Sequence, residues 1–151
     1  MKKTPAIAQP TLITSQHNTR RQSAQRLIEQ YFETFNQQAF DQTAALFAEQ
    51  GSLTPPFEGA IVGRGKVQAY LAKKAVNMHA QPEEWNFPAD GDTVNDGQPL
   101  YRVAVQGRVK AIVFQVSVLW EFEIAPTCEI AIARVKLIAT PKELLSLRSV
   151  N

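Results

Sequence analysis

A single cysteine, Cys128, excludes a disulfide within this 151-residue chain. A link between two copies or a free thiol are the readings left for it. The only two histidines, His17 and His79, stand far apart and make no metal-ligand spacing with one cysteine. No apolar run reaches membrane-spanning length. The N-terminal MKKTPAIAQPTLITSQHNTRRQSAQ opens on two lysines as a secretory leader does, but Pro5, Pro10 and polar residues interrupt its apolar stretch. Neither a nucleophile elbow nor a Cys/His pair is present, and the isolated GRG at 63–65 is a turn signal rather than a phosphate loop. A strong excess of one charge is also missing. Residues 1–25 hold four cations and no acid, while the remainder holds twelve cations and fourteen acids, so the body is no nucleic-acid-binding surface. These absences lead to the expectation of a cytoplasmic, non-enzymatic protein with no metal: a basic flexible arm over 1–25 followed by one domain over 26–151.

What the chain does have is a change of grammar near residue 81. Before it, apolar residues follow helical spacing. Leu27, Ile28, Tyr31, Phe32 and Phe35 form one broad stripe, with Ser23 as N-cap and Asn36 as stop. Phe40, Ala44 and Phe47 predict a second, short helix from about Asp41 to near Gly51. Val67, Tyr70 and Leu71 face inward from a third, KVQAYLAKKAV. Between these two, the prolines and glycines of SLTPPFEGAIVGRG allow only a short strand and turns. After residue 81 come a short strand in PEEWNFP, an acidic loop ADGDTVNDGQP, and then period-two alternation. Val103, Val105, Gly107, Val109 and Ala111 form one inward set, Phe114 to Phe122 a second, and Ala131 to Ala139 a third. The outward positions read basic, acidic, basic across the three strands, the pattern of an antiparallel meander. APTCE is its last turn, and TPKELLSLR a short closing helix with Pro141 at N1. Helices first and a long curved sheet afterwards give an α+β fold, with the N-terminal helices covering one sheet face and a cone-shaped cavity between them.

The chemistry lies on the inward positions. They are small and apolar, and the sheet acids Glu121 and Glu123 fall on the wet face by parity, so acid–base catalysis lacks its carboxylate. Two aromatic donors stand out: Tyr31 on the first helix and Trp120 in FQVSVLWEFEI. A buried Tyr or Trp needs an acceptor for its O–H or N–H. Either both are core aromatics bonded by the backbone, or both converge on one acceptor carried by an apolar ligand.

Five segments carry a family resemblance: YFETFNQQAFD, LTPPFEGAIVGR, QGRV, VLWEF and LIATPKELLSL. Over about Arg26 to Arg148 the chain resembles the C-terminal domain of the cyanobacterial orange carotenoid protein and its free-standing homologues, within the nuclear transport factor 2-like superfamily. The resemblance implies binding of a ketocarotenoid of the canthaxanthin or echinenone class, without catalysis. It assigns the keto-oxygen hydrogen bonds to Tyr31 and Trp120, and the tunnel lining to Met78, Ala80, Val109, Ala111, Val135 and Leu137. It further implies delivery of pigment to helical carotenoid proteins, contact with a membrane for pigment uptake, and photoprotection by singlet oxygen quenching. Two departures point to a carrier rather than a light-switched assembly: Val113 stands where the family has a second tryptophan, and Lys74 where two-domain members carry a carboxylate. A domain of about 125 residues is roughly 35 Å across, close to the length of a ketocarotenoid. A homodimer sharing one carotenoid would cover both ends, with Cys128 a candidate for an intermolecular disulfide. The rival readings are a small isomerase- or cyclase-like enzyme acting on an apolar substrate and a ligand-free interaction module.

Overall fold

The stripe at Leu27–Phe35 belongs to one long helix, α1 (Thr4–Asn36), in a computed structural model that describes the backbone of residues 4–87, 92–95 and 98–138 and the side chains of 19–87 and 99–138. The helix ends at Asn36 as expected, but it does not begin at Ser23. Residues 11–36 contain neither glycine nor proline, and Pro5 lies in the first turn, where a helix has no acceptor for its N–H groups. The stretch 4–25, expected as a flexible arm, is helical, and it carries Pro10 in its second turn at the loss of one backbone hydrogen bond. Two of its cations are also tied down: Arg20 sits 5.3 Å from the Tyr101 ring centre and Arg21 4.4 Å from that of Phe87. None of the helices among the described residues is long and apolar enough to cross a membrane.

The second helix, α2 (Phe40–Ala45), is shorter than expected, because Phe47 opens strand β1 (Phe47–Thr54) instead of closing a helix. Phe47 is wholly buried, and β1 pairs in parallel with the last strand, Leu53 opposite Ala133. Strand β2 (Ile61–Val62) and helix α3 (Arg64–Lys74) follow, with Val67 and Leu71 buried as the pattern required. Then come β3 (His79–Asn86), β4 (Asp92–Asn95), β5 (Gln98–Lys110), β6 (Gln115–Ile124) and β7 (Ile130–Leu137). The acidic loop thus contains a strand, β4, antiparallel to the start of β5. The sheet order is β2-β1-β7-β6-β5-β3 with β4 also on β5, antiparallel except for β1 against β7.

Two irregularities bend this sheet. A bulge at Pro82/Glu84 lies beside Gly107, where a Cβ would collide with the backbone of Gln81 and Pro82, so only glycine lets β3 cross so closely. A second, at Glu123/Ile124, breaks the parity of β7: Ile130 and Ala133 are both buried, and Ala131, expected inward, is only half-buried. The Ala125–Glu129 turn is closed by the Ala125 N–H donating to the Glu129 carbonyl, with Cys128 at its exposed tip. The C-terminal helix expected in TPKELLSLR, and Ala139, lie outside the described residues.

The core forms where α1 crosses the inner sheet face, around Ile28, Phe47, Val103, Val105, Phe122 and Ile130. The outer face is laced with ion pairs: Glu123 to Arg134 at 2.8 Å and Arg102 at 3.6 Å, and Glu121 to Lys136 at 3.1 Å. Glu123 is not on a wet surface, however. Its two arginines lie over it and leave it 4 % exposed.

Candidate ligand cavity

The open end of the cone is a cavity of about 550 Å³. Its floor is the inner face of β6, Val116, Val118 and Trp120, flanked by Val109 of β5 and by Val135 and Leu137 of β7. Helix α1 contributes Tyr31 and Phe35, and α3 contributes Tyr70, Leu71 and Lys74. Pro55, Pro56 and Phe57 of the β1–β2 loop and Phe114 of the β5–β6 hairpin complete the rim. Phe57 is 93 % exposed, and Phe114 and the neighbouring hairpin residues Ile112 and Val113 are exposed too, so the mouth is an apolar surface. Lys74 is the sole charged residue among the described lining.

The cavity brings Tyr31 and Trp120 together. Each is nearly sealed, at 2 % and 3 % exposure. Tyr31 is packed edge-on against Phe122 with ring centres 5.2 Å apart, and Trp120 edge-on against Phe32 at 4.8 Å. Among the described residues neither the Tyr31 hydroxyl nor the Trp120 indole N–H has a hydrogen-bond acceptor, yet no side-chain polar atom is sealed away without a partner. Both donors therefore open onto cavity space. Burial pushes the Tyr31 phenol well above its ordinary pKa, so it remains an O–H donor.

Met78, Val109, Val135 and Leu137 line the cavity as well. Ala80 does not. It is buried beneath the end of α1, where Asn36 Nδ2 donates to its carbonyl at 2.9 Å and its own N–H donates to Asn36 Oδ1 at 2.7 Å. Ala111 does not line it either, because β5 ends at Lys110 and Ala111 begins the hairpin turn, its N–H donating to the Phe114 carbonyl. Phe57, Tyr70 and Lys74 were not legible as lining residues. Phe57 sits at φ +64 in a loop that no periodicity describes. Tyr70 faces inward from α3 by its spacing, and its hydroxyl donates to Glu58 at 2.9 Å. Burial first, then the hydrogen bond and the negative charge of Glu58, push the Tyr70 phenol up to about 12. No cluster of His, Cys, Asp or Glu able to hold a metal ion exists among the described residues.

No protein-family model matches the chain. It is 30% identical over 122 residues to the orange carotenoid-binding protein of Limnospira maxima, covering 78% of this chain and 37% of that protein. The chain thus spans little more than a third of the curated relative. The structure of the orange carotenoid protein of Anabaena (Nostoc) sp. PCC 7120 binding canthaxanthin superposes with a TM-score of 0.66 at 28% identity, over 80% of this chain and 38% of that one. The epoxide hydrolase/cyclase-like enzyme SalBIII, with a role in pyran ring formation, superposes at 0.61 over 82% and 95% of the two chains, but at 17% identity, a likeness of fold alone.

Proposed function

Because the chain is homologous to the C-terminal domain of the orange carotenoid protein and shares the cone of nuclear transport factor 2-like domains, we propose that it binds and carries a ketocarotenoid without catalysing a reaction. The observation that carries this reading is the pair of nearly sealed donors, Tyr31 O–H and Trp120 N–H, opening onto an apolar cavity with no acceptor among the described residues. A keto oxygen on a terminal ring supplies that acceptor, and the polyene runs past Val118, Val135 and Leu137 toward the mouth. The hydrogen bonds draw electron density toward the oxygen and shift the pigment absorption to the red. No Asp, Glu or His lines the described cavity wall, which disfavours the isomerase or cyclase reading.

The pigment is longer than one cone is deep, so its second half leaves through the apolar rim of Phe57 and Phe114. A second copy docked rim to rim covers it, giving a homodimer with a Tyr31/Trp120 pair at each end of one carotenoid. The same rim is where a helical acceptor protein or a membrane surface would meet the pigment, and singlet oxygen quenching is the photoprotective role such a carrier supports. Production of the chain in cells that accumulate canthaxanthin tests the reading. A coloured protein with a red-shifted visible band is expected, and a colourless one under adequate pigment supply overturns it.

A further inference from the structure

We propose that the cavity of a single chain is also a complete site for a shorter ligand, a polyene or aliphatic monocarboxylate with a carbonyl at its buried end and its carboxylate at the mouth against Lys74. The proposal rests on the reading that Tyr31 and Trp120 hold a carbonyl oxygen. It adds the other end of the molecule.

Three observations carry it. The first is size. A cavity of about 550 Å³ lies within the range of pockets that enclose a drug-sized molecule, on the order of twenty carbons, rather than one that spans the whole domain. The second is charge placement. Lys74 alone brings charge to the described wall, it stands at the exposed rim, and it has neither an ion pair nor a hydrogen bond among the described residues. Its position in the last turn of α3 suits the helix dipole, but Lys73 meets that need equally and does not line the cavity. The third is that Glu58, the nearby carboxylate on the rim loop, is engaged by the Tyr70 hydroxyl. That bond leaves the Glu58 charge in place, but no ion pair joins Glu58 to Lys74 among the described residues, so the Lys74 ammonium stays open at the mouth while the depth presents two unmatched neutral donors. A ligand with an anion at one end and a carbonyl at the other meets both. Products of oxidative cleavage of a ketocarotenoid, one ring with a shortened polyene ending in a carboxylate, have this chemistry.

The test uses the purified, pigment-free chain and follows quenching of tryptophan fluorescence. Three probes are titrated at low salt: all-trans-4-oxo-retinoic acid, its methyl ester, and retinoic acid without the oxo group. The acid is expected to bind about fivefold more tightly than its ester, the scale of an exposed ion pair, with the gap narrowing as salt rises. Lys74→Gln closes the gap and Lys74→Arg keeps it. The des-oxo acid binds more weakly than the oxo acid. Equal affinity for acid and ester, a gap that survives Lys74→Gln, or equal affinity for the oxo and des-oxo acids would overturn the proposal. Canthaxanthin loading separates the two readings. A chain that loads canthaxanthin but shows no acid preference keeps the carrier reading and loses this one. A chain with the preference but no canthaxanthin loading keeps this one and loses the other.

Discussion

The two faces of strand β6 treat their polar groups in opposite ways. Outward, Glu121 meets Lys136 and Glu123 meets Arg134 and Arg102, so each acid has its partner within the fold. Inward, Trp120 is nearly sealed yet its N–H finds no acceptor among the described residues, and Tyr31 across the cavity is in the same condition. Neither polar atom is sealed from the cavity, so water or a ligand can reach each donor. The charges on one side of the strand are matched within the fold, and the donors on the other side are the ones the proposed carbonyl oxygen would meet. The outer face maintains the sheet, and the inner face divides into packed core at Phe122 and cavity lining at Trp120.

The sharpest way to break that division is to truncate both inner residues. Phe122 is wholly buried under Tyr31 and Phe32, and Phe122→Ala is expected to cost about 3–5 kcal/mol in urea unfolding. Trp120→Phe, two residues away on the same face, is expected to cost less than half of that. Similar losses at the two positions would mean that Trp120 is core and not wall.

Next in size is the pair of donors itself. Tyr31→Phe with Trp120→Phe removes both proposed hydrogen bonds to a keto oxygen, each about 1 kcal/mol net and more where the acceptor is left buried. Pigment affinity should fall about thirtyfold or more, and the red shift should vanish, with unfolding stability unchanged within about 1 kcal/mol. An unchanged visible spectrum in the double variant would show that the keto grip is elsewhere.

The outer face should give the mirror image. Glu123→Gln leaves Arg134 and Arg102 without their anion, but both arginines are partly exposed to water, so the expected loss is about 1–2 kcal/mol of stability. The pigment band should not move. A shifted band would mean that the two faces of β6 are coupled.

Much of this division can be read in the sequence, and what cannot has identifiable causes. Alternation along β6 separates Val116, Val118, Trp120 and Phe122 from the acids because ten residues keep one unbroken register with β5. The same reasoning fails on β7, where the bulge at Glu123/Ile124 inserts a residue and puts Ile130 inside, and a bulge has no sequence signature here. Phe47 fits both a helical stripe and a strand. The choice is made by its pairing with β7, more than eighty residues away, which local pattern does not contain. Of the cavity, the wall on regular elements is legible at Tyr31, Val109, Trp120, Val135 and Leu137. The rim is not, because Phe57 lies on a loop with left-handed backbone. Ala111 shows the converse, since correct parity does not reach the cavity once the strand stops, and Ala80, placed there by the resemblance alone, runs beneath the end of α1.

The smallest effect expected is that of pH, and its shape bears on what the inner face holds. Burial raises the Tyr31 phenol, and burial together with Glu58 raises Tyr70 to about 12, against about 10 in an unfolded chain. Between those values the folded state retains protons that the unfolded state has released. The stabilising contribution is therefore complete below pH 10 and is lost as pH climbs through 10 toward 12 and beyond. Pigment band and unfolding midpoint should accordingly be flat from pH 6 to 9 and decline above 10, and Tyr31→Phe should make the alkaline decline in stability shallower. A band that moves between pH 6 and 9 would mean that a group other than these two phenols meets the chromophore. A flat profile leaves two neutral donors as the grip, which is how the inner face differs from the ion-paired outer one.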